Sequence, residues 1–220
     1  MPPMQSWMGC RSGSVASSKW AGGDQLIELA RPVRYIARMD MPAHPADAAA
    51  FLPILTPPHP ALRAKARKAG PADMDRVREL VPQMLAAMYA APGIGLAAPQ
   101  VGVNLRLAVV DLQPNDAPAP IVLVNPEVTR VSEDWALREE GCLSLPGQYA
   151  DVSRPARVHV RYTDQDGKGQ EIEAEGLLAA CLQHEIDHLD GVLFVDHLSA
   201  LKRNMILRRL AKELKQKAAG

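Results

Sequence analysis

The sequence predicts an α+β domain, with antiparallel or mixed strands packed around a central helix and one further helix at each end. Three observations predict it. Short β-branched runs fall between residues 105 and 175. An apolar helix carrying two histidines follows them. Apolar residues at helical spacing recur before and after this core, near residues 73–90 and 199–217. At 220 residues the chain is long enough for one domain with a sizeable core.

Residues 1–45 carry Gly, Ser, Ala and Met without hydrophobic periodicity, and read as a disordered extension ahead of a catalytic domain over 46–200 and a basic helix and tail over 201–220. No apolar stretch suits a secretory signal. Arg11, Lys19, Arg31, Arg34 and Arg38 would suit an organellar transit peptide, but Asp24, Glu28, Asp40 and Asp47 count against one. In Asp73–Ala90, Met74, Val77, Val81, Met84, Leu85 and Met88 form one helical face, with Asp73 as the cap and Pro82 as a local conflict. A glycine-rich loop follows. Leu105–Asp111 and Ile121–Asn125 are short apolar strands. Arg157–Thr163 and Glu171–Glu175 alternate around the Asp166-Gly167 turn and predict a hairpin. Leu177–Leu189 is a helix stopped by Gly191. The last helix, Ser199–Lys217, has Leu201, Met205, Leu207 and Leu210 as its apolar residues.

Charge and cysteine content narrow the function. Lys+Arg and Asp+Glu are both 25, so a general coat for DNA or another polyanion is not expected. Three cysteines imply no disulfide framework and point to a reducing, cytoplasmic compartment. The longest uncharged run, between Glu79 and Arg106, is broken by Pro82, Pro92 and Pro99 and by Gly93, Gly95 and Gly102, so no membrane span is expected there.

The sharpest chemical signal is His184-Glu185-Ile186-Asp187-His188. Histidines four apart share a helix face and reach one metal, and Glu185 lies one step around, able to meet a water without ligating. The flanking Leu177, Leu178, Cys181, Leu182 and Ile186 predict a buried helix, where His and Glu need partners. A catalytic metal needs a third protein ligand. Zinc endopeptidases with this motif take it downstream, yet one such position is Phe194, and Glu213 sits in the basic tail. Upstream, Cys142 in Glu140-Gly141-Cys142-Leu143-Ser144 is either that ligand or an ordinary buried thiol. In Gly93–Gly102 the small residues allow close backbone approach. Gln100 there is either a donor to a ligand or a loop cap. His59, His159 and His197 read as structural or solvated.

Gly93–Gln100, Glu140–Ser144 and Gln183–His188, in this order and spacing, closely resemble the three signature motifs of the peptide deformylase family. The resemblance spans about Leu52 to Leu210 and implies a metal-dependent hydrolase that removes the formyl group from the N-terminal formyl-methionine of new polypeptides. It implies Cys142, His184 and His188 as metal ligands, commonly for Fe²⁺, with Zn²⁺ or Ni²⁺ able to substitute. It implies Glu185 as general base and then acid, and Gln100 with the Leu143 backbone amide as the oxyanion hole. Ile94 and Gly95 would hold the substrate backbone. Leu177, Cys181 and Ile94 would line a methionine pocket, and Glu140 would pair with Arg154. A silent paralogue that only binds formyl-Met peptides or the ribosome is the alternative. The tail from Asp196 onward holds seven basic residues against two acidic ones, which is either a solvated face or a ribosome contact.

Overall fold

The structure, a computed structural model, describes residues 52–114 and 117–217. The expectation for residues 1–45 lies outside them.

Helix α1, Met74–Ala90, buries Val77, Leu80, Val81, Met84, Leu85, Ala87 and Met88, so its methionines are core. It runs through Pro82. That proline leaves the Arg78 carbonyl without its intrahelical donor, and Arg78 is exposed, so water can serve it. Asp73 stands at the N-cap position, as expected, but its side chain makes no bond to the first turn of the helix. Its carboxylate instead accepts from the Gly70 N–H at 2.8 Å and pairs with Arg67 at 2.6 Å, closing the 3-10 turn before it.

Beyond α1 the glycine-rich segment is not all loop. Strand β1, Gly95–Ala97, leads into a 3-10 turn, Ala98–Val101, that seats Gln100. Strands β2 (Leu107–Val110), β3 (Ile121–Val131), β6 (Arg157–Thr163) and β7 (Gly169–Glu175) join β1 in one antiparallel sheet of order β1-β2-β3-β6-β7. Strand β2 is buried along its length, which explains its unbroken apolar run. Leu107 and Val109 face α1, while Ala108 and Val110 face the second helix. Strand β3 passes Asn125, where the sequence suggested an end. Asn125 takes a positive φ of 53°, the register shifts there, and its side chain bonds both the N–H and the carbonyl of Ala69 at 2.8 Å. The strand end that the sequence suggested at Asn125 is a bulge.

Strands β4 (Trp135–Cys142) and β5 (Leu145–Pro155) form a separate two-stranded ribbon. Helix α2, Gly176–Leu189, crosses the main sheet and buries ten of its residues. Gly191 ends it with φ of 77°, and any Cβ there would meet the Arg63 carbonyl at 2.6 Å, so the stop is also a packing contact. Helix α3, Ala200–Lys217, covers the ribbon. Its buried face is Ile206 and Leu210, packed with Leu145, Val152 and Phe194. Leu201 and Met205, expected in that face, are exposed, because the i, i+4 stripe is set by Ile206 and Leu210. No helix among the described residues is long and apolar enough to cross a membrane.

Candidate active site

Helix α2 and the β4–β5 ribbon place the three metal-ligand candidates together. The ligand atoms of Cys142, His184 and His188 lie within 4.8 Å of one another. Cys142 Sγ is 3.1 Å from His188 Nε2, and the two imidazole rings stand edge to face with centroids 4.9 Å apart. Cys142 ends β4, and a two-residue turn, Leu143–Ser144, leads into β5. Cys142 therefore sits at a hairpin tip, held on both sides by the ribbon.

One ion cluster sets the orientation of His184. Its Nδ1 donates to Glu140 Oε2 at 2.9 Å, which leaves Nε2 for a cation. Arg154 grips the same carboxylate through Nε at 2.6 Å and Nη2 at 3.0 Å. Both partners are more than nine-tenths buried. Burial alone would raise the Glu140 pKa, but hydrogen bonds from His184 and Arg154 outweigh it and hold the group at about 2. Arg154 also reaches Asp187 at 2.7 Å, and His197 Nε2 meets the same Asp187 oxygen at 2.7 Å. Thus His197 is structural. His159, read as solvated, is half-buried and bonded to Thr129. Asp187 was legible only as part of the motif.

Glu185 lies on the neighbouring flank of α2. Burial, helped by the charge of Glu140, lifts its carboxyl to about 7 against the pull of His184 and Arg154. Its Oε2 is buried with no hydrogen-bond partner among the described residues, as is His188 Nδ1. A soft thiolate, two imidazoles and a carboxylate with an open oxygen fit a divalent cation with a water. Gly95 faces this carboxylate so closely that a Cβ would sit 2.2 Å from Glu185 Oε1 and 3.0 Å from Cys181 Sγ. Here the glycine is needed for space.

The remaining candidates converge on the same place. The Gln100 Oε1 accepts from the Ala97 N–H at 2.7 Å, and its Nε2 faces Ser144 Oγ at 3.1 Å and Cys142 Sγ at 3.6 Å. Leu143 packs over Gly93, where a Cβ would meet it at 2.6 Å. Ile94 is part-exposed, and its carbonyl accepts from the Asp111 N–H and, at 3.6 Å, from the Cys181 thiol. Cys181 is buried, and Leu177, one turn earlier on α2, is exposed. Gln183 ties α2 to the end of β5 through the Pro155 carbonyl at 3.2 Å. Sequence reasoning gave no role to Ser144 or Gln148, although both are nearly inaccessible. Buried small polar residues beside a motif were the available signal.

A half-buried cysteine beside two buried imidazoles, with a buried carboxylate and a buried carboxamide next to them, defines a metal-dependent amide hydrolase. The sequence model described as Polypeptide deformylase matches residues 51–204, and the chain belongs to that family. It is 53% identical over 169 residues to the peptide deformylase of Mesorhizobium japonicum, covering 76% of this chain and 96% of the relative. A peptide deformylase from Legionella pneumophila has a crystal structure at TM-score 0.73 and 47% identity, covering 78% of this chain and 99% of that one. The peptide deformylase from Synechococcus elongatus, solved in complex with actinonin, gives TM-score 0.68 and 47% identity, covering 73% of this chain and 88% of that one. The activity is that of a peptide deformylase, not of a silent paralogue.

Proposed function

We propose that the chain removes the formyl group from formyl-methionine at the start of new polypeptides in the cytoplasm, with Fe²⁺ at Cys142, His184 and His188 and with Zn²⁺ or Ni²⁺ able to substitute. The convergence of Cys142, His184 and His188 within 4.8 Å, beside the buried Glu185, carries this reading. A cation held there would lower the pKa of a bound water from about 15.7 towards about 7.

The chain's own residues supply the rest. Glu185, with its carboxyl near neutrality, accepts a proton as water oxygen bonds to the formyl carbon. The formyl oxygen gains negative charge, and the Gln100 Nε2 and the Leu143 backbone N–H receive it. One such donor is worth about 3–4 kcal/mol in this kind of reaction. The C–N bond then breaks, and Glu185 returns the proton to the departing amine. Formate and a free N-terminal methionine leave. Ile94 and Gly95 hold the peptide backbone, and Leu177, Cys181 and Ile94 take the methionine side chain. Helix α3 contacts the ribosome through its exposed basic side chains, Lys202, Arg208, Lys212 and Lys215.

The test is formate release from a formyl-Met peptide, with and without a chelator, together with Glu185→Gln. We expect chelation to stop turnover. The substitution should keep the cation and cost about 100-fold or more in rate. Full activity of metal-free protein, or of Glu185→Gln, would refute the assignment.

A further inference from the structure

We propose that Ser144 is a positioning residue that aims the Gln100 carboxamide at the reacting oxygen. The proposal rests on the reading of Gln100 as an oxyanion donor. A carboxamide has one acceptor oxygen and two N–H groups in a plane. The Ala97 N–H donates to one atom of the Gln100 amide at 2.7 Å, which identifies that atom as the oxygen. Nε2 therefore lies on the far side, with two hydrogens to place. One goes to Ser144 Oγ at 3.1 Å. The other is left facing Cys142 Sγ at 3.6 Å, on the side of the cation cluster.

Burial makes the serine's role more than packing. Ser144 is 0% exposed and Gln100 is 1% exposed, so neither can turn to bulk water. Without the serine oxygen, one Nε2–H would be buried and unpaired, a costly state. The amide relieves it by rotating about its last side-chain bond, and the second N–H swings away from the cation side. Ser144 also follows Leu143 directly in the hairpin tip. A single two-residue turn thus carries one backbone donor and orders the other.

The experiment uses the metal-loaded enzyme and four forms: wild type, Ser144→Ala, Gln100→Ala and the double variant. Cation content per chain, kcat and KM on a formyl-Met peptide, and NMR hydrogen exchange of the Gln100 side-chain amide are measured. For Ser144→Ala we expect unchanged cation content and KM, a kcat lower by about tenfold, the scale of one lost hydrogen bond, and faster exchange of the Gln100 amide. Ser144→Thr, which keeps the hydroxyl, should restore most of kcat. The double variant should be no slower than Gln100→Ala alone. Wild-type kcat in Ser144→Ala beside a slowed Gln100→Ala would overturn the proposal. So would losses that multiply in the double variant, because the serine would then act elsewhere. Wild-type speed in Gln100→Ala would overturn the donor reading itself and the proposal with it.

Discussion

Glu140→Gln tests the ion cluster at its centre. The carboxylate accepts three bonds, two from Arg154 and one from His184, at 2.6 to 3.0 Å. Glutamine offers one acceptor oxygen and adds an N–H₂ group that must face a donor. Arg154 would be left 7% exposed with only Asp187 as counter-charge. Breaking a buried pair by removing one partner costs about 3–5 kcal/mol. The surviving Asp187 contact places this case near the lower bound, about 3 kcal/mol. In a domain of this size each kcal/mol moves the thermal midpoint by about 2–4 °C, so a fall of about 6–12 °C is expected. Loss of the group that orients a metal-bound histidine should also weaken cation binding by about 10–100-fold. Thermal unfolding reads the first effect, and competition with a coloured chelator reads the second. Glu140→Asp keeps the charge but shortens the reach, and should fall between. A midpoint within about 2 °C of wild type, with unchanged cation affinity, would refute the reasoning.

Gly95→Ala should keep the cation but lose about 100-fold or more in kcat/KM, because the new methyl would meet the Glu185 carboxylate at 2.2 Å; formate release with metal analysis checks this. Asp196 accepts from the Leu193 N–H at 2.8 Å and pairs with Arg63. Burial alone would raise its pKa, but these contacts outweigh it and hold it below the ordinary 3.8. Its stabilising effect is therefore full above that value and is lost as pH falls through the folded-state pKa. Asp196→Asn should lower the thermal midpoint at pH 7 and much less at pH 3, and equal drops at both would count against the ion pair. For the tail, changing Arg208, Lys212 and Lys215 to Gln should leave peptide turnover unchanged and weaken co-sedimentation with ribosomes at low salt. Arg209 is spared because it holds Gln148 Oε1 at 2.6 Å, so its loss would disturb the hairpin. Undiminished co-sedimentation would leave the helix as an ordinary solvated face.

The legible parts of the fold were those whose burial follows one simple period. Helices α1 and α2 and the β6–β7 hairpin showed it plainly. The β4–β5 ribbon did not, because β4 buries no apolar side chain and β5 mixes buried Leu145 and Val152 with buried Gln148 and Arg154. Ala136, Arg138 and Glu140 share one face of β4, where Arg138 is exposed and Glu140 is buried behind His184, one of the candidate metal ligands. Trp135 and Leu137, on the opposite face, are exposed. An apolar-in reading cannot find a strand whose one buried side chain is a carboxylate. At the site, the residues that gather were legible from three motifs. What escaped was the wiring between them, since the Glu140–His184 and Gln100–Ser144 bonds each span 44 residues and leave no local periodicity.

The order in which those distant pieces are made sets when the site can exist. During synthesis β1 and Gln100 emerge first, then the ribbon with Cys142, and only then α2 with both histidines. Until His188 has joined the chain there is no three-donor set, and a cation meeting the partial chain finds at most Cys142 and, once it is made, His184. Glu140 and Arg154 are likewise paired across a ribbon whose covering helix, α3, arrives last. Metal capture is thus a late event in the birth of this chain. A cation held by these groups would link Cys142 to His188 across the intervening β5, β6 and β7, closing a loop over long-range contacts that are slow to form.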